Sequence, residues 1–130
     1  MLANYIMEKE NLNLDRAKVY EMILCHELGE LDAGDVTPVD DVNREERYKS
    51  ELTGVKRLST QYNMPRYLML WEEFEKRETA EAKFVYAMNK LDVVLMAKEY
   101  AKVTKNDALF EEFFATNGKH CEQYLKYFNL

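Results

Sequence analysis

Apolar residues recur three and four positions apart along most of this chain, which is the spacing of a helix face. Val19, Met22, Ile23 and His26 follow that spacing, and Glu30 comes one turn later. With Asn13 as a cap, the pattern predicts a helix from Leu14 to about Leu31 that Gly34 and Pro38 end. Ahead of it, Met1–Glu8 pairs Leu2 with Ile6 and has no cap in front. That reads as the tail of a longer helix whose beginning lies upstream. Val42–Tyr62 is more polar: NREERYKSE alternates in charge, and Val55, Leu58 and Tyr62 are spaced as one buried stripe on a surface helix. Asn63 and Pro65 start a fourth helix through Trp71 to Lys76, and Thr79 caps a fifth from Ala80 to about Val103. Asn106 begins a sixth that Asn117-Gly118 stops, and His120–Phe128 is expected as a short last helix. The predicted fold class is all-α, a bundle of about six helices.

Composition supports this picture and narrows the function. Only 4 Gly and 2 Pro interrupt 130 residues, which favours long helices over many short strands. At 47% hydrophobic the chain has material for one core, and no repeat or linker divides it, so residues 1–130 are expected to form one domain. A net charge of -6, from 24 acidic against 18 basic residues, would repel a phosphate backbone, so no polymeric nucleic acid is expected as a partner. No apolar run approaches the roughly 20 residues that cross a bilayer, so no membrane association is expected. Cys25 and Cys121 lie far apart, and the opening MLANYIMEKE acquires acid and base before any apolar run develops. Both thiols are read as reduced and the compartment as cytoplasmic.

Chemistry concentrates between His26 and Asp35. His26 and Glu30 are four apart, and Glu27 is three from Glu30, so an imidazole and two carboxylates share one helix edge. Asp32 and Asp35 follow in the expected turn, and this density of acid needs a cation or water. The plainer reading is a solvated helix end with His26 satisfied in the core. HExxE is not the HExxH of zinc proteases: the second histidine is absent and His120 is distant in sequence, so that activity is rejected. Trp71, Phe74, Phe84, Tyr86 and Met88 read as packing, Lys83 as solvated, Lys90 as open to a phosphate, and Cys25 as buried and inert.

The segment CHELGELDAGDVTPVD resembles the pattern HDxxExxxGDxxPxD of the HD-domain phosphohydrolases, in particular their small 5'-deoxynucleotidase branch. RYKSELTGVKRL, LWEEFEKRETAEAKFVYAMNKLD and FFATNGK resemble further blocks of that branch, so nearly the whole chain is covered. The resemblance implies an HD-like domain with a divalent cation (Mn, Co, Mg or Zn) held by two histidines and two aspartates. His26 matches the paired histidine, Glu27 stands where the family has Asp, and Asn89 stands where it has the last Asp ligand. The family's first histidine would fall before Met1.

Glu30 matches a glutamate beside metal and substrate that donates to the departing oxygen or positions the attacking water. Asp35 matches another near-site acid, and the Val36 carbonyl offers a neutral oxygen for a second ion. The metal set implied is thus His26, Glu27, Asn89, Glu30, Asp35 and Val36, with Glu30 and Asp35 catalytic. The implied activity is a metal-dependent phosphomonoesterase that hydrolyses (deoxy)nucleoside 5'-monophosphates, in a homodimer. The competing reading is a catalytically inactive relative serving as a nucleotide-binding or assembly subunit, and a third is an acidic helical interaction module with no small ligand.

Overall fold

The computed structural model describes residues 1–30 and 43–129. All regular structure among them is helical: α1 Leu2–Glu10, α2 Arg16–Cys25, α3 Arg44–Gln61, α4 Pro65–Lys76, α5 Ala80–Thr104 and α6 Asp107–Asn117, then two 3-10 turns, Gly118–His120 and Glu122–Tyr127. The all-α expectation holds. These helices form two compact units, Asp15–Ala82 on one hand and Met1–Leu14 with Lys83–Leu130 on the other. Among the described residues no helix is long and apolar enough to cross a membrane.

In the Asp15–Ala82 unit α4 packs against both α2 and α3. Val19, Met22, Val55, Leu70, Trp71 and Phe74 are buried, and the Tyr48 ring lies 5.4 Å from that of Trp71. The caps are local and polar. Asp15 accepts from the Lys18 amide at 3.1 Å and Asn43 from the Glu45 amide at 2.7 Å, which satisfies donors that the first turns leave open. Pro65 opens α4, where its missing N–H costs nothing. Thr79 accepts from the Ala82 amide at 3.2 Å while its hydroxyl donates to Glu73 at 2.9 Å.

In the other unit α5 buries Phe84, Met88, Leu91, Val94, Ala97 and Ala101 at helical spacing, with Val85 and Ala87 beside them, and Ile6, Met7, Cys121 and Tyr124 are buried too. Phe84 meets Tyr124 edge to face at 6.0 Å, and Tyr5 meets Tyr127 at 6.3 Å in the same way. Both cysteines are free and buried, and burial pushes each thiol above its ordinary pKa.

Three expectations need correction. The helix expected over 14–31 is Arg16–Cys25, because Asp15 rather than Asn13 caps it and because the chain tightens after Cys25. There the Leu28 amide bonds to the Cys25 carbonyl at 3.1 Å and the Glu30 amide to the Glu27 carbonyl at 3.0 Å, both spanning three residues. The stripe on α3 ends before Tyr62, which follows the helix and is 61% exposed. The last helix is not an α-helix but the pair of 3-10 turns. The expected stop at Gly34 and Pro38 lies outside the described residues.

Residues 26–29 form a tight turn seated on α3. A Cβ added at Gly29 would come 2.6 Å from Glu51 Cβ and 3.2 Å from its Cα, atoms too near the backbone to swing aside. Gly29→Ala is therefore expected to destabilise the protein by about 1–3 kcal/mol, the usual cost of overpacking. A urea melt with no loss of midpoint would show that turn and helix are not in contact.

Candidate functional site

His26 ends α2, and its side chain is held by that helix's own last turn. Nδ1 lies 2.7 Å from the Ile23 carbonyl oxygen and 3.3 Å from that of Met22. Carbonyl oxygens only accept, so Nδ1 carries the proton and donates, and the neutral ring keeps its lone pair on Nε2. That nitrogen is buried, with no hydrogen-bond partner among the described residues. Glu27 Oε1 lies 3.6 Å from it, on a side chain that is 65% exposed. Two acceptors that face one another across 3.6 Å repel unless a proton or a cation comes between them. The Phe74 ring, 4.9 Å from the imidazole and tilted by 53°, covers the histidine, and the Arg77 guanidinium lies 5.2 Å from the centre of that phenyl ring.

Beside this pair is a set of carboxylates organised by one arginine. Arg47 on α3 donates through Nε to Glu51 Oε1 at 3.0 Å and places Nη2 3.6 Å from Glu30 Oε1. Glu51 is buried and needs that cation. Glu75 on α4 completes the set. Burial first, and then the negative charge of Glu51, hold its carboxyl above the usual range, while Arg77, Arg47 and His26 pull it back down.

The structure brings together His26 and Glu27, and it sets Glu30 against Arg47. Asn89 is half-buried on α5, in the unit that does not contain His26. Beside it, Lys90 Nζ lies 5.2 Å above the Tyr86 ring, which also meets His120 edge-on at 5.3 Å, and Lys83 is exposed. Asp32, Asp35 and Val36 lie outside the described residues. Among the described residues no three His, Cys, Asp or Glu side chains gather as a metal-binding set. Sequence reasoning missed Arg47, Glu51 and Glu75, and it took Phe74 for packing alone. The Arg47/Glu51 pair had a readable signal, since opposite charges four apart on a helix meet. The reach of Arg47 to Glu30 had none.

This chain belongs to the HD domain family: the family model matches residues 1–127, almost its full length. Curated relatives point the same way. The chain is 35% identical over 120 residues to the 5'-deoxynucleotidase HDDC2 of Bos taurus, covering 88% of this chain and 57% of that protein. It is 32% identical over 124 residues to the protein of the same name from Xenopus laevis, covering 91% and 61%. With the Dictyostelium discoideum protein it shares 31% over 121 residues, covering 88% and 64%. The chain thus spans about three-fifths of the length of these relatives.

The Nδ1 geometry makes a spectroscopic prediction. Neutral His26 is expected to hold its proton on Nδ1, the minority tautomer of free histidine. Two-bond nitrogen–proton correlation spectra of the labelled protein would read this directly, and a proton on Nε2 would refute the arrangement.

Proposed function

We propose that this chain is a metal-dependent phosphomonoesterase that hydrolyses (deoxy)nucleoside 5'-monophosphates to nucleoside and phosphate. The observation that carries the reading is the buried lone pair of His26 Nε2, aimed beside the Glu27 carboxylate in a member of the HD domain family. The donors fit a divalent cation. An imidazole whose other nitrogen is locked by a carbonyl is the usual form of a metal-bound histidine, and a nitrogen and an oxygen 3.6 Å apart can both touch one ion at about 2.1 Å. His26 and Glu27 would hold it, and Asn89, Asp35 and the Val36 carbonyl are proposed to complete the site from residues further along the chain. Mn, Co, Mg and Zn all accept such donors.

When bound, the cation lowers the pKa of a water molecule and neutralises phosphate charge. The protein's own contribution follows from the geometry. Phe74 keeps solvent from one side of His26, so the imidazole stays fixed. Glu30, set by Arg47, takes a proton from the attacking water as the oxygen of that water bonds to phosphorus, and gives a proton to the leaving 5' oxygen as the ester bond to that oxygen breaks. The products are nucleoside and inorganic phosphate, and Asp35 is proposed to assist the incoming water.

Phosphate release from deoxynucleoside monophosphates, with Mn²⁺ or Co²⁺ and then in chelator, tests the reading. Turnover should need metal, Glu30→Gln should lower kcat by about 10²–10⁴-fold, and His26→Gln should reduce the metal-dependent rate to that in chelator. Full turnover in chelator would sink the proposal.

Asn89 favours a second reading, a catalytically inactive relative that binds nucleotide or serves in an assembly. A neutral amide offers an oxygen but no charge where the family resemblance implies a carboxylate. Asn89→Asp separates the two. Around a degenerate metal site it should make Mn²⁺ raise the melting temperature more than in wild type, by up to about 2.7 kcal/mol of added stability at a hundredfold excess over Kd. Destabilisation unrelieved by Mn²⁺ would instead mark a pocket repacked around the amide.

A homodimer belongs to the same proposal. Met96, Tyr100 and Val103 share one face of α5 and are 64%, 61% and 80% exposed, while Phe113 and Phe114 of α6 are 40% and 37% exposed. A solution mass of twice 15.4 kDa by light scattering, halved by Tyr100→Glu, is the expected result, and a monomeric wild type would remove the dimer. One HD domain in a reducing, cytoplasmic setting, with its cysteines free, completes the reading.

A further inference from the structure

We infer that Arg47 is a positioning residue for Glu30, holding the carboxyl of the proposed proton donor in place from the neighbouring helix. This rests on the hydrolase reading above and adds a residue to it. A guanidinium is a planar fork with five donors in fixed directions, so fastening one of them orients the rest. Here Nε is fastened to Glu51, whose side chain is 8% exposed and cannot follow solvent. With that end anchored, Nη2 faces Glu30 Oε1 at 3.6 Å, an ion-pair separation just beyond a direct hydrogen bond. The backbone is tied to the same place: Gly29, immediately before Glu30, lies so close to Glu51 that no Cβ fits between them. The main chain at Gly29 and the carboxyl of Glu30 are therefore both referenced to one turn of α3, the first by contact and the second by charge.

The bland alternative is that Arg47 merely neutralises buried Glu51 and that its approach to Glu30 is incidental, as half-exposed ion pairs often are. Another pair on α3 shows what an incidental contact looks like: Lys49 and Glu45 meet at 3.3 Å with side chains 71% and 75% exposed, and each is free to leave. Arg47 differs because it bridges two acids from separate segments, one of them buried. The two accounts part when both members of the Arg47–Glu51 pair are removed together.

Four variants assayed with Mn²⁺ and deoxynucleoside monophosphates, alongside thermal melts, decide between them. Arg47→Met should lower the melting temperature, because Glu51 is left buried and uncompensated, and should lower kcat roughly ten- to a hundredfold with KM little changed. Adding Glu51→Gln should restore the melting temperature, because the uncompensated charge is gone, yet leave kcat low, because Glu30 still lacks its Arg47 contact. Arg47→Lys should keep the charge but not the fork, and so recover only part of the rate. In a Glu30→Gln background Arg47→Met should cost no further kcat. Recovery of both stability and kcat in the double variant would reduce Arg47 to a structural counterion and overturn the inference while leaving the hydrolase reading standing. A wild type that folds but releases no phosphate with metal would overturn both.

Discussion

A carboxylate taken out of water must find a cation close by, and at Glu51 that requirement organises the Asp15–Ala82 unit. Its partner is supplied one turn away on the same helix, so the charge is met locally. Glu51 also sets how closely the chain after α2 can approach, because only a glycine fits against its Cβ. The approach in turn fixes where the backbone leaves His26, and hence which direction Glu27 and Glu30 take. A buried acid thereby serves as the reference point from which the main chain at Gly29 is placed by packing and the carboxyl of Glu30 by charge. Glu75 registers the same acid from α4, its proton held more tightly first by burial and then by the nearby charge of Glu51.

Much of the helical framework was legible because it is written in local chemistry. Pro65, Thr79, Asn106 and Asn117-Gly118 announce ends within a residue or so of where they fall, each through a backbone group that one side chain or one missing N–H accounts for. The end of α2 was illegible for the converse reason. Nothing in CHELGE forbids an α-helix locally, and the periodicity runs straight through it. What closes the helix at Cys25 is the tight turn and its seat on α3, a long-range contact that spacing cannot express. Tyr62 misled in the same way, since a residue at helical spacing is carried to the buried face only while the helix lasts.

At the site the sequence carried identities better than relations. His26, Glu27 and Glu30 stand out by density alone, and the resemblance to HD-domain proteins gave them roles. It did not show that Nδ1 would be spent on the Ile23 carbonyl, which is what leaves Nε2 available, nor that Phe74 would lie over the ring. Those depend on backbone direction at a helix end and on a partner far away in sequence. Arg47 was hidden more thoroughly, because a charged residue in an alternating run looks like solvated surface until its neighbours are in place.

The described backbone also has four non-glycine residues in the left-handed region: Asn11, Asn63, Arg77 and Lys105, with φ between 50° and 57°. An L residue there carries a conformational cost of roughly 1 kcal/mol that glycine would not. Asparagine bears it lightly, and Lys105 is an exposed loop residue, so these positions leave a margin of stability that evolution or a designer can draw on without touching the chemistry. Arg77 is the exception. Its guanidinium covers the phenyl ring that covers His26, so relaxing the backbone by glycine would strip the histidine's outer wall. The fold therefore keeps one of its strained residues where a side chain matters, and its freedom to vary lies at the other helix ends.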